Sequence, residues 1–498
     1  MSIFNTDKRI TLGIWGLGRG ASFIASARAL GIDVVAGCDY NEHMRKNFAE
    51  TCPEAFVTDN EDEFLARDFD AVLVATWFPA HAEHSIKALK AGKHVMCEVS
   101  SFFTPAEAVK LIEAVEASGK VYNLLENYPF SKANQYARKL WSEGFFGDFM
   151  YGEYDYNHDC RSLEYTYIDG VTINPGWEAH NWRSNLPPHY YVTHSLGPVM
   201  KITGVRPVSV TAFPVKPIMY GTFGDQLAPS LFKMSNGGVF RNLMGGGTGD
   251  THAKRIWGTK ACYDFTDGCK IRVGASGHGR VLNVNPEWPE LGDLAEKAGH
   301  GGGDFWELYY FAREILTGEA APWTIYDACD VTLAGIMANR SMRLGGVSVA
   351  IPDFRDPAQR EVYRNDDGVP ERLDPKKIFP EGHDTEITRN FSKVMSLFSN
   401  FWGNVGLVLV RNVRDGMKIY KELATDADRF AVVSDVRKLI ADLPSIAENC
   451  REAEKILEAY PDCPAGRVLR TSLEICDSEW VLDTDNALAE LRAWLEKA

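Results

Sequence analysis

The chain has 498 residues, 45% of them hydrophobic and 24% charged, with 53 Lys+Arg against 68 Asp+Glu for a formal net charge of −15. That composition carries enough apolar material for several cores and excludes a disordered chain. Dispersed negative charge with no Lys/Arg cluster argues against nucleic acid or an anionic membrane as the main partner, which leaves a small molecule.

No apolar run reaches the ~20 residues that span a bilayer, and the N-terminus lacks the apolar core of a signal peptide, so a cytoplasmic protein without membrane attachment is expected. Ten cysteines, none in a CxxC pair, are expected to be reduced.

In chain order, residues 9–15 read as a strand, 21–30 as a helix and 33–38 as the next strand. Residues 71–76 (AVLVAT) form a continuous apolar run, the pattern of a strand buried on both faces. A helix over 81–91 and a strand over 94–98 follow. Thr104-Pro105-Ala106-Glu107 opens another helix with a capping box, Ser118-Gly119 closes it, and 121–125 returns to strand. Alternation of this kind predicts an α/β fold beginning with a doubly wound parallel sheet over residues 1–128.

From about residue 146 the strands lengthen and alternate, and Ser235-Asn236-Gly237-Gly238 marks a hairpin. A second α/β domain with an open antiparallel sheet is expected over 129–352. The Pro-containing polar stretch 353–389 reads as a linker or wrapping loop, and 390–498 as a helical extension, with Val432, Val433, Val436, Leu439 and Ile440 at helical spacing.

Gly13-Ile14-Trp15-Gly16-Leu17-Gly18-Arg19-Gly20-Ala21 lies between a strand and a helix. Its Gly16-x-Gly18-x-x-Ala21 core has the form of a dinucleotide fingerprint, with Gly16 for the tight turn, Gly18 for close approach of a pyrophosphate and Ala21 for helix packing. Asp39 follows 23 residues after Gly16, at the end of the second strand, where a carboxylate accepts ribose hydroxyls and repels a 2′-phosphate. NAD is therefore expected rather than NADP. Arg19 faces either the pyrophosphate or the substrate cleft.

Val74-Ala75-Thr76 followed by His81, then Ala91-Gly92-Lys93-His94-Val95 and Glu98, together with Leu125-Glu126-Asn127 and 255–260 (RIWGTK), resembles the glucose-fructose oxidoreductase / inositol dehydrogenase / MocA superfamily. The resemblance spans about residues 8–350. Where typical dehydrogenases of that superfamily have Glu-Lys-Pro, this chain has Glu98-Val99-Ser100, and Val99 cannot replace the proton-transferring lysine.

Residues 154–159 (YDYNHD), Trp182-Arg183, 191–198 (YVTHSLGP) and 299–304 (GHGGGD) are similar to segments of the NAD-dependent glycosidases of glycoside hydrolase family 109. This resemblance implies Tyr156, Tyr191 and His194 for catalysis. For the cofactor it implies Gly16, Leu17, Gly18, Arg19, Gly20, Asp39, Thr76, His81, Glu98, Glu126 and Arg183. A carbohydrate substrate would then meet Trp182, His300, Asp304 and Arg161.

The implied chemistry oxidises a pyranose at C3, so that the C2 proton becomes acidic, the C1 substituent is eliminated, water adds back and the hydride returns. Such enzymes need no carboxylate pair. Alternatives are a plain NAD-dependent sugar or cyclitol dehydrogenase, and a non-catalytic NAD or sugar sensor.

Blander roles compete at single positions. Tyr156 fits an aromatic ladder with Tyr154, Tyr190 competes with Tyr191, and Asp304 fits a cap for a helix starting at Phe305. His158, Asp159, His180, His189 and His194 crowd one region without metal-ligand spacing, so no metal is expected. The superfamily resemblance also implies a homo-oligomer.

Overall fold

The computed structural model describes residues 3–157, 187–215, 227–246, 252–275, 277–370, 391, 394, 406–475 and 477–498. The chain divides into two compact units. One comprises Met1–His158, Pro187–Val215 and Leu227–Pro370, and the other contains the C-terminal helices. Trp182, Arg183 and Arg161 lie outside the described residues.

The first unit opens with six parallel strands, β1 (Thr11–Trp15), β2 (Asp33–Cys38), β3 (Phe56–Thr58), β4 (Ala71–Val74), β5 (His94–Glu98) and β6 (Tyr122–Leu125), in the order β3-β2-β1-β4-β5-β6. Every residue of β4 is buried, as its continuous apolar run requires. The order reverses between β1 and β4, and this places a ligand crevice at the carboxyl ends of the strands.

The capping box forms. Glu107 N–H donates to Thr104 Oγ1 and Thr104 N–H donates to Glu107 Oε2, which starts the helix Pro105–Ser118. The helix expected over 21–30 begins instead as a 3₁₀ turn, Gly20–Phe23, before becoming Ile24–Ala29. The polar helices Glu42–Thr51 and Glu61–Leu65, capped by Asn41 and Asn60, carry weak apolar periodicity and escaped the sequence reading.

The second sheet has nine strands: β7 (Phe149–Asn157), β8 (Pro207–Ala212), β9 (Ser230–Met234), β10 (Val239–Gly245), β11 (Lys254–Gly258), β12 (Ala261–Asp264), β13 (Cys269–Val273), β14 (Arg280–Val284) and β15 (Val349–Ala350). Their order is β14-β13-β12-β11-β7-β10-β9-β8-β15. The hairpin at Asn236-Gly237 joins β9 to β10, with Gly237 at φ 90°.

The sheet is mixed rather than antiparallel throughout, because β7 pairs in parallel with β10 at its centre. The helices Thr193–Thr203 and Ile325–Arg343 pack against it.

Residues 353–370 form a strap around the first unit. Arg340 pairs with Asp366, Arg360 with Glu116 and Arg364 with Glu113, so the strap touches the helix Pro105–Ser118. In the second unit the helices Gly406–Ile419, Asp426–Ala459, Pro464–Ile475 and Thr484–Leu495 enclose a core that includes Val436, Leu439, Leu443, Ala447, Cys450 and Leu491. Among the described residues no helix is long and apolar enough to cross a membrane.

Candidate active site

The glycine-rich turn follows β1. Gly16 has φ 95°, and an added Cβ would lie 2.2 Å from the Ala75 carbonyl oxygen, so only glycine fits there. A Cβ on Gly18 would meet nothing within 4 Å, which leaves the backbone open to a ligand. Close packing falls on Gly20, whose Cβ would meet Ile14 at 2.5 Å, while Ala21 is only half-buried.

Gly20 N–H donates to the Gly16 carbonyl and Leu17 N–H to Asp39 Oδ2 at 2.7 Å. Neither amide is left for a phosphate. Asn41 N–H donates to Asp39 Oδ1 at 2.8 Å, so two amides aim the half-buried carboxylate at the end of β2. Burial pushes the Asp39 carboxyl up, and those two amides pull against the shift.

Four of the residues expected at the site, Arg19, Glu98, Asp304 and His300, are tied to one another in a clamp. Arg19 donates from Nε to Glu98 Oε1 at 2.7 Å and from its two terminal nitrogens to both oxygens of Asp304 at 2.8 and 2.9 Å. With Nη1 also donating to the Ser22 hydroxyl at 2.7 Å, four of the five Arg19 N–H groups are taken by protein acceptors. Burial works against the guanidinium charge, but Glu98 and Asp304 outweigh it and raise the pKa.

Asp304, 2% exposed, also receives Asn127 Nδ2 at 3.1 Å and lies 3.0 Å from His300 Nδ1. Both of its oxygens are thus occupied by protein donors. Burial alone would raise its carboxyl, yet His300 and Arg19 hold it well below the usual range. Glu98 is taken by Arg19 and by Val99 N–H, leaving His300, its side chain 41% exposed, as the clamp's outward member.

His81 is 2% exposed, with Nδ1 2.9 Å from the Ser100 carbonyl and Nε2 3.0 Å from the Thr76 carbonyl, so both ring nitrogens are taken by backbone oxygens. Burial opposes its charge, but Cys97 and the two carbonyls raise the pKa to about 9. The Thr76 hydroxyl pairs with His84 Nδ1 at 2.7 Å.

Beyond the end of β6, fully buried Glu126 meets His194 near the start of the helix Thr193–Thr203. The two carboxylate oxygens lie 2.8 and 2.9 Å from His194 Nδ1. Approach is close because residue 197 is glycine; a Cβ there would lie 3.2 Å from Glu126 Cγ. An ionised carboxylate only accepts, so Nδ1 carries the proton and Nε2 faces the Tyr191 hydroxyl at 2.9 Å.

Glu126, His194 and Tyr191 thus form a hydrogen-bonded chain. The Tyr156 ring on β7 sits 4.8 Å from the His194 ring and 5.8 Å from that of Tyr191.

Three neighbours escaped the sequence reading. Tyr128 lies 4.7 Å from the His194 ring and 5.2 Å from the Tyr156 ring, and burial keeps its phenol protonated. His252 lies 5.6 Å from Tyr156, and Lys254 starts β11 beside them. Tyr128 follows Glu126 by two residues and could have been found there, whereas His252 and Lys254 belong to no motif.

Residues 10–125 match the model of an oxidoreductase family with an NAD-binding Rossmann fold. The first domain is therefore an NAD-binding domain of the Gfo/Idh/MocA oxidoreductases. Residues 284–359 match the C-terminal domain of glycosyl hydrolase 109.

The chain is 27% identical over 386 residues, 65% of its length and 81% of the relative's, to an α-N-acetylgalactosaminidase of Tannerella forsythia. It is 27% identical over 414 residues, 70% and 87% of the two chains, to a glycosyl hydrolase family 109 protein of Parabacteroides distasonis. In fold it resembles an inositol dehydrogenase homolog from Azotobacter vinelandii, solved with NADH and myo-inositol, with a TM-score of 0.56 and 21% identity over 69% of this chain and 98% of that one.

NAD is the cofactor, and the crevice fits it. The open face of Gly18 leaves room for a pyrophosphate, and the aimed Asp39 carboxylate suits ribose hydroxyls.

Proposed function

We propose that the chain is an NAD-dependent glycosidase that cleaves its substrate by transient oxidation and elimination. The observation that carries this reading is the Glu126–His194–Tyr191 chain, which supplies a proton-transfer group where Val99 has none. Gly18 and Asp39 hold the cofactor. Bound NAD supplies a reversible hydride acceptor, so oxidation of a sugar carbinol leaves no net redox change.

With C3 oxidised, the C2 hydrogen is acidic. Tyr191 Oη accepts that proton as its own passes to His194 Nε2, and Glu126 stabilises the resulting imidazolium. The electron pair left at C2 expels the C1 substituent, whose oxygen takes a proton from solvent; water then adds at C1, releasing a proton to solvent, as His194 returns its proton through Tyr191 to C2. Tyr156, its ring against His194 and Tyr191, walls the site, and His300 faces the sugar from the clamp.

The Tannerella relative's name makes an α-N-acetylgalactosaminide the first substrate to test. Cleavage of its p-nitrophenyl glycoside without net NADH is expected, as is resistance of the 3-deoxy glycoside. Cleavage of the 3-deoxy compound would reject the oxidation step, and stoichiometric NADH would favour a dehydrogenase.

The same proposal places the enzyme in a reducing, cytoplasmic compartment, supported by eight described cysteines that are all free. It also includes self-association, supported by exposed Met150, Leu231 and Val239 on β7, β9 and β10 and tested by analytical ultracentrifugation.

A further inference from the structure

Lys254 is half-buried, and its Nζ has no hydrogen-bond or ion-pair partner among the described residues. It stands 5.4 Å from the Tyr154 ring centroid and 6.0 Å from those of Tyr128 and Phe265. These distances sit at the outer limit of a cation–π contact, which offsets only part of the cost of removing an ammonium from water. Burial accordingly pulls the Lys254 pKa down.

The amine belongs to the face of the proposed site. Lys254 pairs with Tyr154 across β11 and β7, and Tyr156 is two residues further along the same side of β7. Tyr128, whose ring meets Lys254, also meets His194 and Tyr156, and His252, two residues before Lys254, meets Tyr156.

Among the described residues this face presents phenols, two histidines and one ammonium, and its one carboxylate, Glu126, is committed to His194. Among the described residues the group missing from the arrangement is an anion.

We infer that Lys254 binds an anionic substituent, a carboxylate or a sulfate ester, on the sugar that occupies the Tyr128–Tyr156–His194 face. This inference deepens the glycosidase reading and rests on it for the location of the sugar. Lys254 is a specificity residue in this arrangement, and the anion supplies the counter-charge that the ammonium lacks among the described residues.

The test is calorimetric titration of the NAD-loaded protein with methyl α-D-galactopyranoside, its 6-sulfate and methyl α-D-galactopyranosiduronate. Lys254→Gln and Lys254→Arg follow under the same conditions, with melting temperature and NAD affinity checking that each variant folds. Wild type is expected to bind at least one anionic glycoside about tenfold or more tighter than the neutral one, the size of one charge-assisted hydrogen bond.

Lys254→Gln should bring that ratio near one, and Lys254→Arg should keep most of it. The ligand showing the gap separates carboxylate from sulfate. Absence of a gap in wild type, or a gap that survives Lys254→Gln, overturns the inference. A gap without cleavage of any glycoside would retain the anion site and reject the glycosidase reading, whereas cleavage without a gap would do the reverse.

Discussion

Two histidines in the first unit are each held by a buried carboxylate, and the rest of each carboxylate's surroundings separates their uses. Glu126 has one imidazole and the Tyr128 amide as partners, so a proton arriving at His194 meets a counter-charge not otherwise neutralised. Asp304 is already matched by the Arg19 fork and Asn127, so His300 shares its carboxylate with two other donors. A carboxylate–imidazole contact near 3 Å is therefore not a catalytic signature until the other partners of the carboxylate are known.

Replacing His194 by Ala attacks the relay, and kcat should fall about a thousandfold, the range for losing a positioned acid–base group. His300→Ala should cost less in kcat and act mainly on KM. Steady-state rates on the p-nitrophenyl glycoside decide this, and equal kcat losses would erase the distinction.

Arg19→Met attacks the clamp. It strands Glu98 and Asp304 without their cation and should destabilise the fold by about 3 kcal/mol, the low end for breaking a buried pair, because Arg19 is partly exposed. Denaturant unfolding measures this, and a loss below about 1 kcal/mol would show that the clamp is relaxed in solution.

His81 sharpens the contrast, being held by carbonyls and no carboxylate. Its folded pKa of about 9 exceeds the ordinary imidazole value of about 6.5. The stabilisation is complete below about pH 6.5 and disappears as pH rises through 9, amounting to at most about 3 kcal/mol. Melting temperature should fall across that window in wild type more than in His81→Gln, and parallel profiles would refute a charged His81.

The parallel sheet was legible because β4, β5 and β6 are short apolar runs closed by recognisable turn and cap residues, which are local signals. Glu42–Thr51 was not, since its residues are mostly polar and only Phe48 is buried. The β7–β10 pairing joins strands about ninety residues apart and leaves no local trace.

The site divides in the same way. Gly16, Asp39 and the Tyr191-to-Pro198 segment carry their meaning in short spacing. The partners of Arg19 are 79 and 285 residues away and that of Glu126 is 68, so the protein groups that hold these side chains leave no local trace in the sequence.

Gly197 sits inside the helix Thr193–Thr203, where glycine costs about 1 kcal/mol relative to alanine. Alanine there would raise helix propensity while crowding Glu126 Cγ at 3.2 Å, displacing the carboxylate from the imidazole by a few tenths of an ångström. The local gain in helix propensity at this position is therefore set against the placement of the Glu126 carboxylate, so the residue best for the isolated helix is not the one best for the relay.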